Sequence, residues 1–309
     1  MESIKQTNLI GYKNLFLNLV HNFEQNNLPN KILLSGKQGI GKSIFCYHLV
    51  NYILSKNENF SYNLEKNTIN RDNNSYKLIL NSSHPNFFSI SLKPEKKNIE
   101  ISQIKEMINF TNKSSFYNKS KIILIDNVEK LNSSSSNALL KTLEEPNNDV
   151  LFLMVYNNHF SLFETIKSRC IEFKLNLSKT DCSKIINNLL GDNIFDNFAP
   201  DFKNLNLSPL FYIELFNFCN ENNIDYSNLL IEDLLKFIIS KKLYMKNSYI
   251  KNNIKLFIEI YFKKNFFLKK SLFLYKNYNY FNIKYNSVMN FNLDFETFMI
   301  EFNSVMLNE

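Results

Sequence analysis

The stretch LLSGKQGIGKS at residues 33–43 constrains this chain more than any other. An apolar run enters a glycine-rich loop and ends in Lys-Ser. Gly36, Gly41, Lys42 and Ser43 fill every fixed position of the phosphate-cradling P-loop, with Gly39 between them. The motif carries weight only between a strand and a helix, and the flanks supply both. KILLS at 31–35 reads as a short buried strand. SIFCYHLVNYIL at 43–54 sets Phe45, Leu49, Tyr52 and Ile53 on one face of an amphipathic helix. In that setting a nucleotide site outweighs a bare glycine turn before an ordinary helix. Glycines let backbone N–H groups approach a phosphate, and the helix N-terminus adds positive potential. Lys42 is expected to reach the β- and γ-phosphates of ATP, or the β-phosphate of ADP, and the Ser43 hydroxyl to ligate Mg²⁺.

The rest of residues 1–175 alternates strand and helix signals. NFFSISL (86–92), KIILIDNVEKL (121–131), VLFLMVYNN (150–158) and IEFKL (171–175) read as strands. ISQIKEMINFTN (101–112), SSSSNALLKTLEEP (133–146) and SLFETIKSRC (161–170) read as helices. Alternation of this kind predicts an α/β domain with a mostly parallel sheet. Residues 55–76 are polar and Asn-rich, and read as a surface loop or frayed extension. Beyond 176 the strand signals stop. We expect a small helical domain over 176–222 and an all-helical one over 223–309. In the latter, Ile250, Ile254, Phe257, Ile258, Tyr261, Leu268 and Leu272 fall on one stripe.

A metal-side carboxylate should come from a second strand end. IILIDN supplies Asp126, 84 residues after Lys42. Paired with the P-loop, it reads as the acidic partner of Ser43 at Mg²⁺ rather than as a turn residue. The four Cys (46, 170, 182, 219) show no C-x-x-C spacing and the four His no metal spacing, so no zinc site is expected. Scattered cysteines and the lack of a signal pattern or long apolar run point to a cytoplasmic protein with no membrane partner.

Several phrases resemble the clamp-loader branch of the AAA+ ATPases, most closely the delta-prime subunits of bacterial DNA polymerase III. These are NALLKTLEEP (137–146), FLMVYNN (152–158) and SRC (168–170), with LIGYKN (9–14), NLPNKILLSGKQGIGKS, SHPNFF (83–88) and IEISQIKEM in support. The motifs cover roughly residues 9–175; beyond them only LSPL (207–210) matches. The resemblance implies a nucleotide-binding AAA+ domain, a helical lid and a helical collar. It implies a hetero-pentameric ring with gamma/tau and delta subunits that places the sliding clamp on primed DNA. It also implies that Arg169 reaches a neighbour's site as an arginine finger. A planar, permanently charged fork suits that task. The plainer reading is an Arg capping a short helix. Only Arg71 and Arg169 are arginine among 36 basic residues, which favours the finger.

Departures from the family's motor subunits set the expected activity. Asn127 follows Asp126 where hydrolysing members carry Glu, and an amide cannot take a proton from water at neutral pH. Glu129 is expected to face elsewhere. Leu210 stands where motors have a lid arginine. The sensor-1 residue is Tyr156 or Asn157, with Asn157 placed among the nucleotide-binding candidates. The motors' cysteine zinc module is absent between Cys46 and Cys170. The expectation is nucleotide binding with weak or no hydrolysis of its own; a gamma/tau-type motor and an unrelated P-loop kinase are the alternatives. Net charge is +7, yet residues 241–284 hold eleven Lys against Glu259 alone. That stretch reads as a helical bundle with solvated Lys faces and a Phe-rich core, or as a phosphate-tracking patch.

Overall fold

A computed structural model describes residues 3–114, 120–144, 150–269, 271–291 and 293–307. The chain divides into two compact units, residues 1–185 with 208–210 and residues 186–207 with 211–309.

The first unit runs α1 (Lys13–Glu24), β1 (Lys31–Gly36), α2 (Lys42–Ser55), α3 (Asn74–Leu80), β2 (Phe87–Ile90), α4 (Ile101–Thr111), β3 (Lys121–Ile125), α5 (Ser133–Glu144), β4 (Val150–Asn157), α6 (Glu164–Lys167), β5 (Ile171–Lys174) and the start of α7 (Lys179–Leu190). Its five strands form one parallel sheet in the order β2-β3-β4-β1-β5. The near-continuous apolar runs of β1, β3 and β4 follow from burial on both faces. Successive side chains alternate between two cores. Ile32, Leu34, Ile122, Leu124, Leu151, Leu153 and Val155 meet α1 to α3 on one face. Leu33, Ile123, Ile125, Phe152 and Met154 meet α4 to α6 on the other. The edge strand β5 is correspondingly half exposed. The sheet and its helices agree with the α/β expectation. Residues 145–149, which include the end of the LEEP phrase, lie outside the described residues.

Two expectations are corrected. Helix α2 is not amphipathic: Phe45, Cys46, His48, Leu49, Val50, Asn51, Ile53 and Leu54 are all buried. Its outer face is covered by residues 3–9 and by 56–76, which therefore are not a frayed extension. The His48 ring bonds the Tyr62 hydroxyl (2.9 Å) and the Gln6 carbonyl (3.1 Å). Burial pushes the His48 pKa down to about 4, so the imidazole is neutral. Thr68 bridges Asn8 and Asn63, while Tyr62, Ile69 and Tyr76 enter the core. Burying each of those side chains stabilises by roughly 1.5–3 kcal/mol, enough to order an otherwise polar segment. The Asn content hid these three anchors.

The second unit is helical: the end of α7, α8 (Pro200–Lys203), α9 (Pro209–Glu221, after its first residues), α10 (Ile231–Ser240), α11 (Leu243–Lys246), α12 (Ser248–Lys269), α13 (Leu272–Phe291) and α14 (Phe295–Phe302). Aromatic rings fill its centre, with Phe281 against Phe262, Phe298 and Phe302 at 5.1–6.4 Å between centroids. The expected stripe holds from Ile250 to Tyr261. Leu268 and Leu272 instead stand exposed, at 70% and 74%, on either side of the break between α12 and α13. Among the described residues no helix is long and apolar enough to cross a membrane.

Candidate nucleotide-binding site

The carboxyl ends of three adjacent strands, β3, β4 and β1, converge on one spot, where ligands bind in open parallel sheets. The register aligns Gly36 of β1 with Asn157 of β4. The loop after β1 turns through Gly39 (φ +78°) and Gly41 (φ +91°) into the N-terminus of α2. Both angles favour glycine. A Cβ on Gly39 would lie 2.6 Å from Leu210 Cβ and 2.8 Å from Ser208 Oγ. Residues 208–210 are thus folded against the loop, and Leu210 brings a methyl-bearing chain, not a cation, to that place.

Lys42 is 4% exposed and its ammonium donates three hydrogen bonds. The acceptors are the carbonyls of Gly36 (2.9 Å) and Lys37 (2.5 Å) and Asn157 Oδ1 (2.8 Å). Burial lowers its pKa to about 8, against the pull of Glu129 and Asp126 in the other direction. Asn157 in turn donates through Nδ2 to Asn127 Oδ1 (2.8 Å) and Glu129 Oε1 (2.7 Å), and through its backbone N–H to Glu129 Oε2 (3.3 Å). Asp126 sits beside them. Burial raises its pKa, while a bond from the Ser43 hydroxyl and the Asn127 N–H oppose that shift. A cation on phosphate oxygens would find this hydroxyl and carboxylate already together. Among the described residues no group of three His, Cys, Asp or Glu is placed to hold a metal.

The donors fit a polyphosphate: a glycine loop at a helix N-terminus, one buried ammonium, and a Ser–Asp pair. Gly36, Gly39, Gly41, Lys42, Ser43, Asp126 and Asn157 are therefore brought together. Of the two sensor candidates, Asn157 bonds Lys42, whereas Tyr156 turns its hydroxyl to the Phe160 carbonyl (2.7 Å). The expectation for Glu129 is overturned. Asn127 adopts a left-handed conformation (φ 59°), which Asn tolerates better than most residues. That kink starts the short 3₁₀ turn Val128–Lys130, which brings Glu129 back against Asn157. The Asp-Asn pair after a strand was the available signal.

Arg169 stands apart from this network. Its Nη1 donates to the Thr165 carbonyl in α6 (2.9 Å) and its Nη2 to Glu144 Oε1 at the end of α5 (2.6 Å), with the side chain 35% exposed. The helix-capping contact expected of an ordinary arginine is thus present.

Residues 11–179 match the family described as DNA polymerase III, delta subunit. The chain belongs to that family. Similar proteins include the DNA polymerase III subunit delta' of Pseudomonas aeruginosa, 32% identical over 31% of this chain and 29% of that one. The subunit gamma of Buchnera aphidicola subsp. Schizaphis graminum is 30% identical over 71% of this chain and 60% of that one. The subunit delta' of the same Buchnera is 28% identical over 86% of this chain and 81% of that one. The chain thus spans less than a third of the first of these relatives and three fifths of the second.

Proposed function

We propose that this chain is a delta-prime-type clamp-loader subunit of DNA polymerase III, built in three segments: an AAA+ domain (1–175), a lid (176–222) and a collar (223–309). It joins gamma/tau and delta subunits in a ring, in the cytoplasm, that places a sliding clamp on primed DNA. Its own site holds ATP or ADP with Mg²⁺ and hydrolyses it poorly. The observation that carries this reading is the strand-end site itself. A lysine is buried and held in place, yet the position after Asp126 presents an amide and Leu210 presents no charge.

Bound nucleotide would bring the polyphosphate and its metal. The residues of this chain bind and orient it. Lys42 and the N-terminus of α2 offset phosphate charge, Ser43 and Asp126 would hold Mg²⁺, and Asn127 can orient a water without accepting its proton. Arg169 completes a neighbour's site by leaving the exposed, half-solvated pair with Glu144. Such a pair is worth about 0–1 kcal/mol and is readily exchanged for a phosphate.

The 30% identity to a gamma subunit over 71% of this chain supports a second reading, a motor ATPase. One experiment separates the two. DNA-stimulated ATPase is measured for the reconstituted loader with wild-type chain or Arg169→Ala, and for the chain alone. An inert lone chain with a slow mutant ring supports the delta-prime role. Brisk hydrolysis by the lone chain, with the ring unaffected by the mutation, supports the motor.

A further inference from the structure

The orientation of the Asn157 amide is fixed by its neighbours. An ammonium can only donate, and an ionised carboxylate can only accept. Asn157 must therefore show Oδ1 to Lys42 (2.8 Å) and Nδ2 to Glu129 Oε1 (2.7 Å), with Asn127 Oδ1 taking the second Nδ2 hydrogen (2.8 Å). Both amide donors are spent on the far side. What remains toward the lysine is an acceptor.

A terminal phosphate is itself a cluster of acceptors and needs donors. To receive one, Asn157 would have to turn its amide over. That would break the bond to Lys42 and both Nδ2 bonds, and would aim Oδ1 at the Glu129 carboxylate. The Glu129 carboxylate would also meet a terminal phosphate as a like charge, whereas its pull on Lys42 favours the ammonium for either nucleotide. The donors that stay available, the glycine-loop N–H groups, the N-terminus of α2 and the Lys42 ammonium, suffice for the inner phosphates.

We infer that this site selects a nucleoside diphosphate over the corresponding triphosphate, and that Glu129 is the specificity-determining residue because it holds Asn157 with its acceptor toward Lys42. The inference rests on the nucleotide reading of the P-loop. It assigns Glu129 a role through Asn157, not contact with the ligand.

The test is calorimetric titration of the full chain with ADP and, separately, with a non-hydrolysable ATP analogue. Wild type, Glu129→Ala and Glu129→Gln are compared. Wild type should bind ADP roughly tenfold or more tightly than the analogue. Glu129→Ala should bring the ratio toward one, chiefly by tightening the analogue. Glu129→Gln, which keeps an acceptor but loses the charge, should fall between and decides the matter if the alanine variant does not fold. Equal wild-type affinities, a preference for the analogue, or a ratio that survives both substitutions overturns the inference while leaving nucleotide binding intact. Failure of folded wild type to bind either ligand overturns the nucleotide reading, and this inference with it.

Discussion

The strand-end site of the first unit and the lysine-rich helices of the second both carry positive charge, but they organise it in opposite ways. At the strand ends a single lysine is 4% exposed and meets three named acceptors, each delivered by a loop or strand end. In residues 241–284 eleven lysines face only Glu259 along the sequence. The fold then supplies acids from elsewhere in the second unit. Lys242 pairs with Glu296 (2.5 Å), Lys284 with Glu301, and Lys264 with both Asp201 (2.8 Å) and Glu232 (2.7 Å). Three of the eleven lysines are thus neutralised within the second unit, and the bundle and phosphate-tracking readings are separated by the variants below.

The largest effect that would sharpen this contrast belongs to Arg169. Its guanidinium is anchored to a surface carboxylate and a helix carbonyl, away from the P-loop. Arg169→Ala should slow DNA-stimulated ATPase of the assembled loader by ~10³–10⁵-fold, the range for arginine fingers. Nucleotide affinity of the lone chain should not move. A reduced affinity in the lone chain would place Arg169 in its own site and break the distinction between inward and outward cations.

Next comes Lys42. Lys42→Ala should weaken ADP binding by about 2–5 kcal/mol, the usual cost of removing one partner of a buried, hydrogen-bonded charge pair. Binding should also depend on pH. Burial depresses the Lys42 pKa to about 8, so the ammonium that phosphate requires is present below pH 8 and is lost above it. Affinity should be flat from pH 6.5 to 7.5 and fall by up to about tenfold per unit above pH 8. Lys42→Arg, which does not titrate in this range, should remove that fall even if its affinity is lower. A wild-type profile flat to pH 9.5 would mean that another group neutralises the phosphate.

How much of this could be read from the chain varied with the physics behind each feature. The P-loop, the apolar strands and Asp126 were legible because local sequence dictates them: glycines at positive φ, and unbroken apolar runs buried on both faces. Asn157 was half legible, since only the side-chain hydrogen bonds distinguish it from Tyr156. Glu129 was misread because one left-handed residue, Asn127, redirects the chain, and helical or strand periodicity says nothing about such a kink. The cover over α2 was misread for a related reason. Tyr62, Ile69 and Tyr76 stand seven residues apart in a polar stretch, too sparsely to register as a strand or helix pattern, and only their partners on α1 and α2 reveal them as core. In the second unit, burial of Leu268 and Leu272 failed because periodicity assumes an unbroken helix.

The smallest effects test the lysine-rich helices directly. Lys264 is held between Asp201 and Glu232, with side-chain exposures of 22%, 11% and 27%. Asp201 also accepts the Ile231 N–H (3.0 Å), so the trio ties α8 and α10 to α12. Burial alone would lower the Lys264 pKa, but the two carboxylates hold it up. Removing the ammonium leaves two acids facing each other with little water, so Lys264→Ala should destabilise the chain by about 1–3 kcal/mol in urea titration. Lys263, one position earlier and exposed, should change stability by no more than ~0.5 kcal/mol when replaced by Ala. The same geometry decides how DNA contact is to be tested. Charge reversal at Lys264 would disturb folding and mislead, and Lys270 lies outside the described residues, so the informative variant reverses Lys263 and Lys269. If that variant assembles normally and loads clamps at the wild-type rate, the lysines are solvated faces of a bundle. If assembly holds but DNA-dependent loading is lost, the second unit also places charge for function, and its contrast with the strand-end site fails.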